Sequence, residues 1–148
     1  MSHSCRVDKE IFANGKSGSG LFACIDIQPR ALFTEYGGDL VSASAAAAEE
    51  IKSHHCSVCD GTGRVLVGYR AVEEAVRRSN SSFGSFVNCC NPNIPGDINR
   101  VNCFLLVIVF TSTMHERVFL VANQFIPAGT ALVLSYGTNA TASHHSIE

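Results

Sequence analysis

The chain has 148 residues, 46% of them hydrophobic and 16% charged, with a formal net charge of −2. That is one domain's worth of sequence, long enough to bury about two-thirds of the surface its unfolded form exposes. The composition is that of a globular protein, and it lacks the basic excess needed to hold a phosphate backbone, so nucleic acid is excluded as the main partner.

Residues 1–10 carry no apolar core, so no signal peptide is expected. The longest apolar run, Phe104 to Phe110, is far short of a membrane span. An intracellular location, nuclear or cytoplasmic, is expected, with the seven cysteines as reduced thiols.

Residues 1–15 read as an N-terminal extension, and residues 11–19 as a polar, glycine-rich turn. Leu21 to Ile25 reads as a short strand, and Gln28-Pro29-Arg30 as a turn, because proline presets one backbone angle and blocks strand pairing. A second strand is expected from Ala31 to Tyr36, broken by Gly37-Gly38 and continued by Leu40-Val41-Ser42. Ser44 to Ile51 is a helix candidate, with serine as N-cap before an alanine run. Residues 43–63 as a whole form a helical or irregular insertion. Val65-Leu66-Val67 is a strand core and Val72 to Arg78 a short helix. The asparagine, cysteine and proline cluster after Val87 cannot be regular helix. Asn102 to Phe110 is a buried strand by length and β-branching. A polar turn joins it to a strand from Arg117 to Ala122, which makes a hairpin. Ile126-Pro127-Ala128-Gly129 is a turn, Leu132 to Leu134 a last strand, and residues 138–148 a loose polar tail. Many short strands with little helix indicate a mainly β (α+β) domain and exclude the strand–helix alternation of a Rossmann fold.

Some suggestive patterns fail on inspection. Gly15-Lys16-Ser17 looks like the end of a phosphate loop, but position 10 is glutamate where glycine is needed, and a strand follows instead of a helix. Cys56 and Cys59, preceded by His54 and His55, resemble half a zinc knuckle. Zinc needs four ligands, and no second pair has the spacing, so no metal is expected. A small zinc-binding interaction protein is the reading this loop would support. No cysteine lies at a strand-to-helix elbow or in a protease signature, which argues against a Cys–His hydrolase.

Three segments carry more weight together. The first is Lys16 to Ala23 with Ile27 to Ala31 and Glu35 to Ser42. The second is Gly84-Ser85-Phe86-Val87-Asn88-Cys89-Cys90-Asn91. The third runs from Arg117 to Gly137 and ends in Leu134-Ser135-Tyr136-Gly137. In this order they resemble the SET-domain family over residues 16–137. The first is similar to the family's "GxGLFA…I…G…EY.GE.IS", the second to "RFINHSCxPN", and the third to "v.l.A.rdI.aGEELt.sYG".

The resemblance implies a fold of small curved β-sheets around a knot-like crossing, with short helical insertions. It implies transfer of methyl groups from S-adenosylmethionine to a protein lysine, on a histone tail or another protein. It places the cofactor against Gly18, Ser19, Gly20, Asn88, Cys89 and Tyr136, with Tyr136 as the catalytic tyrosine. Glycine suits close approach to a ligand because it has no Cβ. Tyr36, Tyr69 and Phe86 are candidates for the lysine channel. The family's second motif asparagine corresponds to Asn93 or Asn102; Asn102 opens directly into the following strand. Cys89 stands where the family has histidine, Ser19 where a bulky aromatic is common, and Thr130-Ala131 where it has an acidic pair. These departures motivate an alternative, a catalytically inactive SET-like binding module. No cysteine cluster follows Tyr136, so the tail, the 43–63 insertion or a second subunit must close the channel, and a homodimer is one such arrangement.

Overall fold

A computed structural model describes residues 4–11, 15, 17–42, 44–45, 55–57, 64–69, 72–79, 83–91, 93–110, 115–135 and 143–147. The strands in chain order are β1 (Cys5–Ile11), β2 (Ser17–Ala23), β3 (Leu32–Glu35), β4 (Gly38–Val41), β5 (His55–Ser57), β6 (Val65–Gly68), β7 (Asn88–Cys89), β8 (Cys103–Phe110), β9 (His115–Ala122), β10 (Val133–Leu134) and β11 (Ser143–Ile147). One α-helix, α1 (Val72–Ser79), and two 3-10 turns, Gly84–Phe86 and Asp97–Arg100, complete the described elements.

The framework is a sheet in the order β11-β8-β9-β3. β8 and β9 pair antiparallel from Cys103↔Ala122 to Phe110↔His115, the expected hairpin. Their β-branched and aliphatic residues suit a pleated, covered surface. Residues 118–122 are buried throughout, because β9 is flanked by a strand on each side and covered on both faces. β3 joins the other edge of β9 with a register shift between Leu32 and Thr34. Leu21, Phe33, Val107, Val118, Leu120, Ile126 and Leu132 belong to one apolar core beneath this sheet.

Two proline turns mirror each other beside it. Ile27 and Ile126 are bridged, with backbone bonds of 2.8 and 2.9 Å in the two directions. Gly129 takes the left-handed conformation in one turn (φ 87°), while Arg30 (φ 68°) takes it in the other. Glycine adopts that conformation without steric cost; a residue with a Cβ does not.

The structure corrects five expectations. Residues 5–11 are not a bare extension: β1 pairs antiparallel with β2 from Cys5↔Ala23 to Ile11↔Ser17. β2 accordingly begins at Ser17, inside the stretch read as a turn. Gly38–Val41 does not continue β3 but crosses to a separate sheet, β4-β6-β5, and His55–Ser57 within the expected helical or irregular insertion is its third strand. Finally, Ser143–Ile147 is not loose, since it pairs in parallel with Leu106–Phe110. That strand is polar in sequence, and β8 supplies its ladder. The helix expected at 44–51 lies outside the described residues beyond Ser44 and Ala45, where the Ser42 hydroxyl accepts the Ala45 N–H at 3.2 Å.

Candidate active site

The site is organised by residues 130–134, which run between two other parts of the chain. On one side the Leu132 N–H donates to the Leu21 carbonyl (2.8 Å), and Thr130 accepts from the Ala23 N–H (3.0 Å). On the other, β10 pairs in parallel with β7, Val133↔Asn88 and Leu134↔Cys89, and the Cys90 N–H donates to the Leu134 carbonyl at 2.8 Å. The Asn102 backbone N–H donates to the Val133 carbonyl at 3.1 Å. Its side chain adds two bonds, to the Ala131 carbonyl (2.9 Å) and from the Val133 N–H (3.0 Å). Asn102, 3% exposed, is thus the asparagine at the crossing. Asn93 is exposed and its N–H donates to Asn91 Oδ1.

The cofactor candidates Gly18, Ser19 and Gly20 lie on β2, and Asn88 reaches them directly. Its Nδ2 donates to the Ser19 carbonyl at 2.8 Å and to Glu10 Oε1 at 3.0 Å. Gly20 is buried under this contact: a Cβ there would strike the Glu10 side chain and approach Asn88 Nδ2 at 3.2 Å. Gly18 and Ser19 are more open, as are Asn88 and Cys89. So the structure brings together the two motif segments expected to hold the cofactor. Tyr136, two positions beyond the β10-to-Ser135 segment's Leu134, lies outside the described residues.

The channel candidates separate. Tyr69 and Phe86 share a small apolar cluster with Phe83 and Val7 packed against it. Phe83 and Phe86 meet edge to face, 6.5 Å between ring centres, and the Ser85 hydroxyl donates to the Tyr69 carbonyl at 2.7 Å. Tyr36 instead lies in the main core at 2% exposure. Gly84 lets these two regions abut, because a Cβ there would come within 2.8 Å of Leu120 Cδ1 and of Tyr36 Cα.

Sequence reasoning missed the charged side of the site. Glu10, 6% exposed on β1, receives Arg100 Nη2 at Oε2 (3.0 Å). Arg100 Nη1 donates to Asp97 Oδ1 (3.0 Å), and Asp97 Oδ2 accepts the Asn91 N–H. The Asn91 N–H and then Arg100 hold the Asp97 carboxyl below its ordinary range. No motif flags this chain, since its members lie 90 residues apart. The β1–β2 register sets Glu10 opposite Gly18, and Arg100 reaches it from the 3-10 turn at Asp97–Arg100.

Among the described residues no group of three His, Cys, Asp or Glu side chains is placed to hold a metal ion. His54 and Cys59 lie outside the described residues, as do the side chains of His55 and Cys56. The Cys5 thiol is pushed up to about 12, chiefly by burial and further by Cys24, and burial pushes Cys103 up as well. Such thiols stay protonated and are poor nucleophiles. No described helix is long and apolar enough to cross a membrane.

The SET-domain family model matches residues 18–137. The chain belongs to the SET-domain family. That family comprises S-adenosylmethionine-dependent protein-lysine methyltransferases. Comparison with curated proteins finds no match. Among solved structures, the chain is similar to ctPRC2 in an autoinhibited conformation bound to S-adenosylmethionine (TM-score 0.66, 19% identity, 94% of this chain and 16% of that one). It is also similar to ATXR5 in complex with histone H3.1 mono-methylated on R26 (0.65, 16%, 91% and 57%). CpSET8 from Cryptosporidium is a third (0.65, 21%, 93% and 59%). At these identities the likeness shows the fold. The chain spans less than two-thirds of the length of each.

Proposed function

We propose that this SET domain transfers methyl groups from S-adenosylmethionine to a lysine side chain of another protein, with a histone tail as the first substrate to test. The observation that carries this reading is the convergence of Ser19, Asn88 and Val133–Leu134, which joins the two cofactor segments to the stretch leading into Tyr136.

The residues present fit the cofactor. The open backbone at Gly18–Ser19 permits close approach of a ligand, and the Asn88 amide lies beside it. When bound, S-adenosylmethionine supplies an electrophilic methyl group. The chain's own task is to deliver a neutral amine in line with it. A free lysine has a pKa near 10.4, so reaching the neutral amine at pH 7 costs roughly 4–5 kcal/mol. Apolar walls disfavour the charged form, and the buried Tyr69–Phe86 cluster provides such walls. Tyr136 orients the amine; with an ordinary pKa near 10 it is a poor general base.

The departures from the family pattern are compatible with activity. Thr130 and Ala131 serve the crossing through their backbone carbonyls, which any residue supplies. Cys89 pairs with Leu134 through its backbone.

The test is radiolabelled methyl transfer to core histones and to a peptide array. Label on lysine is expected. Tyr136→Phe should lower turnover by about a hundredfold, the scale of a misoriented reactant, while calorimetric affinity for the cofactor stays near that of the parent. Equal turnover in the variant removes Tyr136 from the mechanism. Absence of cofactor binding at high micromolar concentration favours the inactive binding module.

A further inference from the structure

The amide of Asn88 is held in one orientation by groups that can only accept. Its Nδ2 donates to the Ser19 backbone carbonyl (2.8 Å) and to Glu10 Oε1 (3.0 Å). A carbonyl and a carboxylate have no hydrogen to give, so the end of the amide facing both must be the NH2 group. Both its hydrogens are then used. Among the described residues Oδ1 accepts nothing, and Asn88 offers the open side of the site an acceptor. Left alone, an asparagine amide turns about its last torsion and offers either end.

What prevents that turn is Glu10 together with the Ser19 carbonyl, and what holds Glu10 is Arg100. The carboxylate is almost fully buried and takes Arg100 Nη2 on its second oxygen. The guanidinium in turn is fixed by Asp97, itself anchored on the Asn91 N–H at 2.6 Å. The two ends of this relay, Asn88 and Asn91, belong to one motif segment, so it closes on itself. Nothing in the apolar core requires a buried carboxylate here, and burying one is costly unless it is paired and hydrogen-bonded.

We propose that Glu10, clamped by Arg100, is a positioning residue: it locks the Asn88 amide so that Oδ1 meets a hydrogen-bond donor on the cofactor. This rests on the reading above, in which Asn88 contacts the cofactor. The specificity it implies is for a donor-bearing ligand group, an ammonium or an amine, at that point.

Calorimetry with S-adenosylmethionine and steady-state kinetics on the whole chain test it. Asn88→Ala should weaken cofactor binding. Glu10→Ala should raise the cofactor Kd about tenfold, equivalent to about 1.4 kcal/mol, with the same rise in cofactor KM and little in kcat or peptide KM. Glu10→Gln, whose amide oxygen can still accept from Asn88, should recover part of the loss. The Glu10→Ala/Asn88→Ala pair should bind no more weakly than Asn88→Ala alone. Arg100→Ala, at a more exposed position, reports in the same direction if Glu10→Ala does not fold. A cofactor Kd unchanged in both Glu10→Ala and Arg100→Ala, while Asn88→Ala binds weakly, overturns the proposal and leaves the methyltransferase reading standing. Fully additive effects in the double variant also overturn it. An Asn88→Ala variant that binds like the parent overturns the underlying placement of the cofactor, and the proposal with it.

Discussion

Between Cys103 and Phe110 the chain pairs position for position with His115–Ala122 in unbroken register, whereas β7 and β10 meet over two residues each. The β8–β9 sheet is held by aliphatic side chains in the core, with Val107, Leu120 and Ala122 fully buried. The crossing is held by directional bonds: Asn102 spans Ala131 and Val133, and Asn88 spans Ser19 and Glu10. Apolar burial is non-directional and proportional to area. Hydrogen bonds add little when made but cost much when one partner is stranded. The sheet should therefore respond to volume, and the crossing to the placement of single donors and acceptors.

The largest expected effect is on the sheet. Leu120 is fully buried in β9, and Leu120→Ala should lower unfolding free energy by about 2–5 kcal/mol. Leu120→Met, which conserves volume, should cost less than about 1.5 kcal/mol. Urea unfolding of the three proteins measures both. A loss as large in the methionine variant as in the alanine variant would mean that shape, not buried volume, governs this sheet.

At the crossing the same comparison should invert. Asn102→Ala strands the Val133 N–H and the Ala131 carbonyl, at about 1–3 kcal/mol for a buried group left unmade, reduced where water enters the space. Asn102→Asp is nearly isosteric, yet it sets an acceptor against the Ala131 carbonyl and should not be tolerated as Leu120→Met is. If urea unfolding shows aspartate indistinguishable from asparagine, the side-chain bonds of Asn102 do not hold the crossing.

This division also explains what was legible in the sequence. Strands of the sheet announce themselves, because Cys103-Phe-Leu-Leu-Val-Ile-Val-Phe110 is apolar and β-branched wherever it stands. Two motif segments, Gly18–Gly20 and Asn88–Cys89, were legible by resemblance to a family pattern, and the structure brings them together; that they hold the cofactor is the proposal made above. β1 was not legible. Cys-Arg-Val-Asp-Lys-Glu-Ile alternates poorly, and its two most buried residues, Cys5 and Glu10, lie on opposite parities of a strand. Glu10 drew notice only as the residue that spoils a phosphate loop. Its burial follows from Arg100, far along the chain, and no local window contains both. β11 was hidden for the opposite reason: Ser143–Ile147 borrows its ladder from β8, and a polar strand on an edge looks like a tail.

The smallest effect concerns acid, and it should again separate the two regions. The Asp97 carboxyl is held below its ordinary value, first by the Asn91 N–H and then by Arg100. In the unfolded chain it returns to the ordinary range near 3.9. As pH falls, the unfolded state therefore takes up this proton first, and unfolding is favoured. The contribution of Asp97 is present above the unfolded pKa and is lost as pH drops through the lower, folded value. Asp97→Asn should be less stable at neutral pH and should flatten the acid limb of the stability curve below about pH 4, by less than a full proton's worth of slope. Leu120→Ala should shift the same curve downward without changing its shape, because no titrating group is touched. Unfolding midpoints in urea from pH 7 to pH 3 read both variants. An acid limb as steep in Asp97→Asn as in the parent would detach Asp97 from the charge relay and assign the acid sensitivity to other carboxylates.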